Sequence, residues 1–408
     1  MNRLRGIMTS TDIVIIGGGI IGVSIAYQLA LRGATNVIIL ERDTLASGSS
    51  GRAMGGIRQQ FADELDIRFS REGVRFYTEF TSEYNRPATT DSEPRPPRFY
   101  QYGYLFLMTT PESWQAMQQY AALQHSLGVP TQLLGPAEVQ QRIPQLIVDD
   151  VLGATFCPTD GYSDTPAMTQ TLAYAAQARG IRIREHAAVV GIKVEHGRVL
   201  AVQTEQETIS TPLVVNATGV FAPFVARLAG IADIPVRPLR RHLCLTEPFA
   251  DLPPDVPMTI DLSTGFHFRR RDGSVVFALP LPPTQEEDQL NQTLAPEAFA
   301  LPVDETFWPL LQDHARRRCP TLANAQVARI WSGLYEMTPD EEPVLGKTEI
   351  EGFLCACGFS GHGFMHAPMA AKLMTELILD GASTTLPIEQ FSIERFRTGK
   401  LRKATRIV

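Results

Sequence analysis

The sequence lacks the cysteine pattern of a disulfide-stapled or zinc-binding protein. Its five cysteines are Cys157, Cys244, Cys319, Cys355 and Cys357, an odd and scattered set among 408 residues. Zinc ribbons and small secreted scaffolds place cysteines in short, paired spacings instead. The pattern therefore predicts free thiols, no metal centre and a reducing compartment, for which the cytoplasm is the expectation.

The chain also lacks an excess of basic residues and an uninterrupted apolar span. The 37 basic and 44 acidic residues give a net charge of −7, which argues against a nucleic-acid partner. The one long apolar stretch, residues 13–31, carries four glycines near its start, so no transmembrane segment is predicted. Residues 1–10 have no apolar core and no cleavage pattern of a secretory signal.

What is present is a strand–helix–strand unit at the start of the chain. Residues 12–16 form a β-branched run that ends in glycines, and residues 20–32 show helix-compatible apolar spacing. Residues 36–40 read as a second buried strand. The unit spans about 30 residues, the size of a right-handed parallel crossover, so a Rossmann-type fold is predicted.

This unit contains a dinucleotide-binding pattern. Gly17, Gly19 and Gly22 form the spacing Gly-x-Gly-x-x-Gly between strand and helix, where glycine permits a tight turn and close approach to a pyrophosphate. Glu41 ends the second strand 19 residues after Gly22, where its carboxylate can accept hydrogen bonds from ribose hydroxyls. A purely structural glycine turn is the alternative interpretation.

The residues after Glu41 favour FAD over NAD. Residues 47–52 and the pair Gly55-Gly56 form a long run of small side chains, suited to a backbone that follows an extended cofactor. Two further strand ends, at Ala217-Thr218-Gly219 and at residues 358–363, would contact the same ligand if the chain folds back on itself. Ordinary strand-to-helix turns remain the alternative for each.

Several segments together resemble one enzyme family. Residues 12–52, the strand at Val189, residues 217–219, the run Trp331-Ser-Gly-Leu-Tyr-Glu-Met-Thr-Pro-Asp340 and the run Gly358-Phe-Ser-Gly-His-Gly-Phe364 resemble the D-amino-acid oxidase superfamily of FAD-dependent oxidoreductases. The glycine oxidase, sarcosine oxidase β-subunit and dye-linked proline dehydrogenase β-subunit types are the most similar. The resemblance extends from the start of the chain to the region of Asp380.

The resemblance implies an α/β fold in which an FAD-binding, glutathione-reductase-like Rossmann domain carries an α+β substrate domain with an antiparallel sheet. The alternating pattern of residues 236–278 also predicts antiparallel strands. The expected FAD-binding domain is discontinuous and comprises residues 1–80, 161–230 and 335–408. The expected substrate domain comprises residues 81–160 and 231–334.

The implied function is oxidation of the C–N bond of a small amine or amino acid by hydride transfer to FAD. A secondary amino acid such as an N-alkyl glycine, proline or an opine is the expected substrate, and O2 or another acceptor takes the electrons. An FAD-dependent 2-hydroxy-acid dehydrogenase and a flavin-binding subunit or assembly factor are the alternatives. A partner subunit or a homo-oligomer is compatible with each.

The resemblance assigns roles to four candidate catalytic residues. Arg58 falls where sarcosine oxidases pair an arginine with the substrate carboxylate, and a planar guanidinium suits that role, although a structural ion pair is the alternative. Tyr335 stands where glycine oxidase carries its carboxylate-binding arginine, or it belongs to the core. His362 lies at the predicted helix start beside the flavin, with helix capping or packing as the alternative. Met365, the fourth candidate, directly follows the run Gly361-His-Gly-Phe364.

Departures from the sarcosine oxidases refine these expectations. Gly333 stands where their FAD is attached through cysteine, so non-covalent FAD is predicted. Met365 replaces a lysine, which removes one carboxylate partner, and residues 274–281 lack the lysine associated with oxygen activation, which favours a dehydrogenase. The expected cofactor contacts are Gly17, Gly19, Ile20, Ile21, Gly22, Glu41, Arg42, Ser49, Ser50, Gly51, Arg52, Met54, Gly55, Gly56, Ile57, Val189, Ala217, Thr218, Gly219, Gly333, Gly361, His362, Gly363, Phe364 and Met365.

Three features outside this set also invite interpretation. Arg269 and Arg271 alternate with Arg270 along a predicted strand, where a solvated hairpin is the favoured interpretation and contact with an acidic substrate the alternative. Residues 353–357 read as a strand, and residues 368–379 as the helix that follows the glycine-rich turn.

Overall fold

The structure is a computed structural model that describes residues 8–84, 94–232, 234–290 and 306–402. The strands within these residues are β1 Met8–Ser10, β2 Ile13–Ile16, β3 Val37–Leu40, β4 Gly56–Ile57, β5 Phe99–Tyr100, β6 Tyr104–Met108, β7 Gln132–Leu134, β8 Gly153–Cys157, β9 Gly161–Ser163, β10 Arg182–Arg184, β11 Val189–Glu195, β12 Arg198–Thr204, β13 Thr208–Ser210, β14 Val214–Asn216, β15 Arg237–Thr246, β16 Met258–Asp261, β17 His267–Arg271, β18 Ser274–Leu279, β19 Val327–Met337, β20 Val344–Lys347 and β21 Phe353–Cys357.

Helices connect and cover these strands. They are α1 Ile20–Leu31, α2 Glu64–Tyr84, α3 Pro111–Ser126, α4 Pro136–Arg142, α5 Thr165–Gln177, α6 Ala222–Leu228, α7 Pro283–Leu290, α8 Phe307–Arg318, α9 Pro320–Ala323, α10 Gly363–Asp380 and α11 Glu394–Arg397. Short 3-10 turns lie at Ser49–Arg52, Gly219–Phe221 and Ile388–Phe391.

A six-stranded sheet brings the two ends of the chain together. Its order is β10-β3-β2-β14-β21-β20, and all neighbours are parallel except β20 and β21. Every residue of β2, β3, β14 and β21 is buried, as expected for a sheet whose two faces are both covered by helices. The carboxyl ends of β2, β14 and β21 therefore lie side by side, and each leads into a glycine-containing turn.

The last long helix begins earlier than its proline suggests. The sequence predicts a helix over residues 368–379, but α10 begins at Gly363 and contains Pro368. A proline in a helix leaves the carbonyl four residues before it without a donor, here that of Phe364. The hydroxyl of Tyr77 on α2 donates to this carbonyl at 2.6 Å. A contact from a distant helix thus permits the earlier start.

An eight-stranded sheet forms the second layer of the molecule. Its order is β19-β15-β18-β17-β16-β6-β8-β7. The predicted antiparallel pattern holds for β15, β17 and β18, but β16 and β6 pair in parallel. Strand β6, the parallel partner of β16, comes from a segment far earlier in the chain. The local alternation of residues therefore could not indicate the direction in which these two strands pair.

The interpretation of the arginine strand as a solvated hairpin is wrong. Arg269 is 3% exposed and donates to the backbone carbonyls of Met54, Ser163 and Arg270. Arg270 donates to carbonyls on the other face, including those of Pro253 at 3.1 Å and Gly273 at 3.2 Å. A fixed fork of five N–H donors satisfies several inward-facing carbonyls at once, so these arginines cross-link loops.

Smaller sheets complete the fold. A four-stranded sheet has the order β1-β13-β12-β11, and β4, β9 and β5 form a three-stranded one. The α/β fold class with an antiparallel second sheet is confirmed, while the domain boundaries given above stay a prediction. None of the helices within the described ranges is both long and apolar enough to cross a membrane.

Candidate active site

A cavity of about 800 Å³ opens between the two large sheets. It is lined by residues from the start of the chain, from the end of β14 and from the segment that joins β19 to α10. The expected cofactor contacts that line it are Gly17, Gly19, Ile20, Ile21, Glu41, Arg42, Ser49, Ser50, Arg52, Met54, Gly55, Gly56, Val189, Ala217, Thr218, Gly219, Gly333, Gly361, His362, Gly363, Phe364 and Met365. Gly22, Gly51 and Ile57 are expected contacts that are not part of this lining.

The first glycine turn has the backbone geometry that its sequence requires. Gly17 has φ of +112°, and a Cβ there would lie 2.4 Å from the carbonyl oxygen of Ala217. A Cβ on Gly22 would lie 2.1 Å from the carbonyl oxygen of Gly17. The glycines therefore allow α1 and the end of β14 to approach this turn closely, which leaves backbone at the cavity wall.

Glu41 is held beside this turn by backbone donors. Its carboxylate accepts from the N–H of Gly18 at 2.7 Å and from the N–H of Asp43 at 2.9 Å. Each carboxylate oxygen can accept more than one hydrogen bond. Lone pairs thus remain for hydroxyl groups of a ligand in the cavity.

The small residues after Glu41 support the start of α1. Ser50 Oγ accepts from the N–H of Ile20 at 2.9 Å, and Ser49 Oγ donates to the carbonyl of Leu334 at 2.7 Å. A Cβ on Gly51 would lie 2.2 Å from the carbonyl oxygen of Ala46. This segment therefore connects α1 to β19, and its backbone borders the cavity.

The start of α10 points a helix N-terminus at the cavity. His362 is the N-cap residue, and Gly363, Phe364 and Met365 form the first turn of the helix at the cavity wall. This first turn contains no acidic side chain. Its unpaired N–H groups and dipole provide a positive electrostatic environment for an anionic or electron-rich ligand.

Arg58 lies against this helix start and is 3% exposed. Its Nη1 donates to the carbonyl of Gln60 at 2.5 Å, and its Nη2 lies 3.2 Å from Nε2 of His362. A guanidinium only donates, so His362 Nε2 is the acceptor in this pair. The guanidinium also lies 3.9 Å from the centroid of the Phe61 ring. Among the described residues no carboxylate lies within ion-pair distance of Arg58, which argues against the structural ion pair.

Tyr335 forms the neighbouring wall. A Cβ on Gly361 would lie 2.6 Å from Cε2 of this ring, so the glycine permits close contact between the turn and β19. Tyr335 and Met365 both line the cavity. The four candidate catalytic residues therefore lie in one compartment.

Two further cavity residues, Arg241 and His267, were missed by sequence reasoning. Arg241 lies on the same face of β15 as the buried Leu239 and Leu243. A charged residue within a run of alternating apolar residues was therefore the sequence signal that could have identified it. His267 offered no such signal. Its Nδ1 lies 2.7 Å from the carbonyl of Gly265 and its Nε2 is an acceptor if Nδ1 carries the proton. Burial and the nearby Arg241 lower the pKa of His267 to about 4, so this ring is neutral at pH 7.

Two carboxyl groups lie near this compartment, the half-buried Glu336 and the buried Asp160. Burial raises the pKa of Glu336 to about 7, although the N–H of Gly358 donates to it at 2.9 Å. Burial raises the pKa of Asp160 to about 6, against the hydrogen bonds from Gln59. Glu336 lines the cavity directly, whereas Asp160 supports the Arg58 loop.

Comparison with known proteins identifies the family. A sequence model of the FAD dependent oxidoreductase family, abbreviated DAO, matches residues 12–377. The chain belongs to this family. It is therefore an FAD-dependent oxidoreductase, and the resemblance noted in the sequence is confirmed.

Individual relatives share most of this chain. FAD-dependent oxidoreductase domain-containing protein 1 of Xenopus laevis is 30% identical over 94% of this chain and 82% of its own length. Human mitochondrial sarcosine dehydrogenase is 28% identical over 92% of this chain. The matched region is 40% of that enzyme, so this chain spans less than half of it.

Solved structures extend the comparison to the fold. L-proline dehydrogenase from P. horikoshii superposes with a TM-score of 0.87 at 32% identity, over 97% of this chain and 100% of that one. Glycine oxidase from Geobacillus kaustophilus has a TM-score of 0.79 at 23% identity, over 95% of this chain and 99% of that one. The second likeness shows the shared fold.

The residues present fit an FAD molecule. The crowded glycines leave backbone at the wall for a pyrophosphate, Glu41 offers acceptors for a ribose, and the cavity continues to the first turn of α10. No residue of the lining is a cysteine, so the lining itself offers no thiol for attachment of the flavin. The five cysteines of the chain are all free and buried, and none of them belongs to the cavity lining. The cytoplasmic location expected from the sequence stays a prediction.

Proposed function

We propose that this enzyme oxidises the C–N bond of a small amine or amino acid, of the secondary type represented by N-alkyl glycines and proline. The observation that carries the proposal is Arg58, a buried guanidinium that faces the cavity without a carboxylate partner in the described part of the chain. A buried charge of this kind is costly unless a ligand neutralises it. The carboxylate of an amino acid meets that requirement.

The names of two relatives support the same substrate class. Sarcosine dehydrogenase, at 28% identity, and L-proline dehydrogenase, at 32%, both act on secondary amino acids by name. Bound FAD supplies the acceptor for a hydride from the carbon next to nitrogen. In this proposal Arg58 binds the carboxylate through its unused N–H donors, and the N-terminus of α10 would provide N–H donors and a positive dipole beside bound FAD.

The binding step gives His362 and His267 distinct tasks. His362 accepts from Arg58 and so fixes the direction of the guanidinium, which makes it a positioning residue. His267, neutral and in the cavity wall, offers an acceptor for the N–H of a bound amine.

The first test replaces Arg58 in the holoenzyme. Anaerobic bleaching of the flavin by a panel of glycine, N-methylglycine, proline and their 2-hydroxy analogues identifies the reacting bond. We expect Arg58→Met to lower kcat/KM for the best amino acid about 100-fold, because a charge-assisted hydrogen-bond pair is lost, while flavin content is retained.

Arg68→Met is the matched control, because Arg68 is half-exposed and pairs with Glu64 on the surface of α2. It removes the same charge and leaves kcat/KM unchanged. An Arg58→Met enzyme as active as the control would refute the role of Arg58. Bleaching by 2-hydroxy acids and by no amine would assign the reaction to the alcohol carbon instead.

We infer further that the electron acceptor is not O2. Strand β18, Ser274–Leu279, contains no lysine, and the sarcosine and L-proline relatives named above are dehydrogenases. After anaerobic reduction by substrate, the flavin is expected to reoxidise at least 100-fold faster with a soluble redox dye than with air-saturated buffer. Equal rates in stopped-flow mixing would identify an oxidase.

A further inference from the structure

Besides Arg58 the cavity lining contains three more arginines, Arg42, Arg52 and Arg241, and of these Arg241 lies against the Tyr335 ring. This residue lies on β15 opposite Gly333 of β19 in the antiparallel register. Its Cζ lies 5.1 Å from the centroid of the Tyr335 ring, and the side chain lines the cavity. The side chain is 18% exposed, so solvent screens it only in part.

Arg241 forms one ion pair with the protein, and its other N–H groups are available to a ligand. Its Nη1 pairs with the carboxylate of Glu286 on α7, and Glu286 does not line the cavity. Within the described residues this is its one hydrogen-bonded contact, so Nη2 and Nε of Arg241 have no protein acceptor there. Glu286 therefore fixes the side chain while the remaining N–H groups can meet a ligand.

Arg241 and Arg58 belong to the same compartment. The Tyr335 ring touches both Arg241 and Gly361, and the next residue, His362, bonds Arg58. The arginines are thus connected through one ring and two turn residues. A monocarboxylate can neutralise either Arg58 or Arg241 in this compartment. A ligand with two anionic groups matches both, and each guanidinium–carboxylate pair can form two parallel hydrogen bonds.

We propose that Arg241 binds a second carboxylate of the substrate, so that the preferred substrates are secondary amines with two carboxylate groups. Arg58 takes the carboxylate next to the reacting carbon, and Arg241 takes the one on the far side of the nitrogen or at the end of the side chain. This assignment rests on the proposed function for the reacting bond. It adds a specificity residue that the sequence did not identify.

The test compares matched substrates on the holoenzyme. N-methylglycine and N-(carboxymethyl)glycine differ by one carboxylate, as do N-methylalanine and N-methylaspartate. We expect kcat/KM to be at least about 10-fold higher for the dicarboxylate of each pair, because a hydrogen bond between charged groups contributes about one to two decades in binding.

Variants of Arg241 decide whether this preference comes from the proposed contact. Arg241→Met is expected to remove this preference by lowering the ratio of dicarboxylate to monocarboxylate kcat/KM about 10- to 100-fold. Arg241→Lys is expected to lower the ratio less, since lysine keeps the charge but loses the planar fork. Arg329→Met is the control, because Arg329 is exposed on β19 and outside the cavity lining. It leaves the ratio and the basal activity unchanged.

A binding measurement separates this proposal from the proposed function. Thiodiacetate and (methylthio)acetate are the corresponding sulfur compounds without a nitrogen to oxidise, and their dissociation constants follow from the perturbed flavin spectrum. Tighter binding of thiodiacetate that is lost in Arg241→Met supports the second carboxylate site even if no amine bleaches the flavin. Equal affinity for the two compounds, or a ratio of their dissociation constants that Arg241→Met does not alter, overturns the proposal of a second carboxylate site. The proposal of C–N oxidation is tested separately, by the bleaching experiment.

Discussion

Glu336 combines a half-buried position with contacts to two glycine turns. Its Oε2 accepts from the N–H of Gly358, and a Cβ on Gly219 would lie 3.6 Å from the same oxygen. Burial is the main cause of its raised pKa, which is about 7 in the folded protein. The ionised form is therefore the less favourable one in the folded state.

The stability of the flavin-free protein should depend on the charge of Glu336. A carboxyl group with a raised folded pKa contributes stability that is fully present below its unfolded pKa, near 4.3, and is lost as the pH rises through about 7. Relative to Glu336→Gln, the wild type is expected to lose up to about 3 kcal/mol of unfolding free energy between pH 5 and pH 8. Urea denaturation at both pH values measures the difference.

Glu349→Gln serves as the control, because Glu349 is part of a solvent-exposed pair with Arg397. Its stability should follow that of the wild type across the same pH range. If Glu336→Gln does so too, Glu336 ionises in the folded protein without penalty, contrary to what its burial predicts.

At this scale the sequence predicted residues that belong to a spaced motif and missed those that depend on distant packing. Glu41 and Arg58 follow a glycine pattern closely in the chain, and both line the cavity. Arg241 and His267 face the cavity because β15 and β17 enter a sheet whose strand order is not local. No spacing in the sequence specifies which side chains of that sheet meet Tyr335.

Among the elements, α1 depends most directly on a single missing side chain. A Cβ on Gly22 would lie 2.1 Å from the carbonyl oxygen of Gly17, closer than any real contact, so the helix would have to move away from the turn. Gly22→Ala is expected to lower the affinity for FAD at least about 10-fold, because displacement of α1 misaligns the N–H groups at its start. Flavin released on dilution and equilibrium titration of the apoprotein measure the effect.

The matched control is Gly135→Ala, since Gly135 lies outside the cavity lining, its φ of −81° and ψ of 166° suit alanine, and a Cβ there would meet only Oε2 of Glu138, at 3.6 Å. The same methyl group is added at the start of a helix in both variants. Normal flavin affinity in Gly22→Ala would mean that the helix start does not position the cofactor.

The elements themselves were largely predictable where their signal is local. Strands β2 and β3 and helix α1 lie within a residue of the ranges expected from apolar spacing. Helix α10 was predicted too short because Pro368 suggested a start, and its first turn depends on the Tyr77 hydroxyl from α2. Helix propensity accounts for the proline alone. The hydroxyl that donates to the carbonyl of Phe364 belongs to a residue 287 positions earlier in the chain.

On the scale of the whole molecule, one buried ion pair fastens the C-terminal segment to the rest. Arg395 on α11 donates to both carboxylate oxygens of Asp340, at 2.7 and 2.9 Å, and to the carbonyl of Phe391 at 2.8 Å. Both side chains are at most 4% exposed. Asp340 follows β19, so this pair connects the last described helix to the strand that carries Tyr335.

Arg395→Met should therefore destabilise the protein by about 3 to 5 kcal/mol, because it leaves Asp340 as an uncompensated buried charge. Thermal unfolding of the holoenzyme measures the loss. Arg397→Met is the control on the same helix, and its half-exposed pair with Glu349 should contribute less than about 1 kcal/mol. A melting temperature for Arg395→Met equal to that of the control would contradict the role of the pair.

The division of the cavity wall between the two ends of the chain has a consequence for biogenesis. Strand β21 joins β14 only when residues 353–357 have been synthesised, and the wall from Gly361 to Met365 follows still later. A polypeptide emerges from the ribosome N-terminus first, so the glycine turn at Gly17 is synthesised long before its counterpart at Gly361 exists. The flavin site is thus complete only after residue 365 has been made, and a nonsense codon before position 361 would yield a product that cannot complete it.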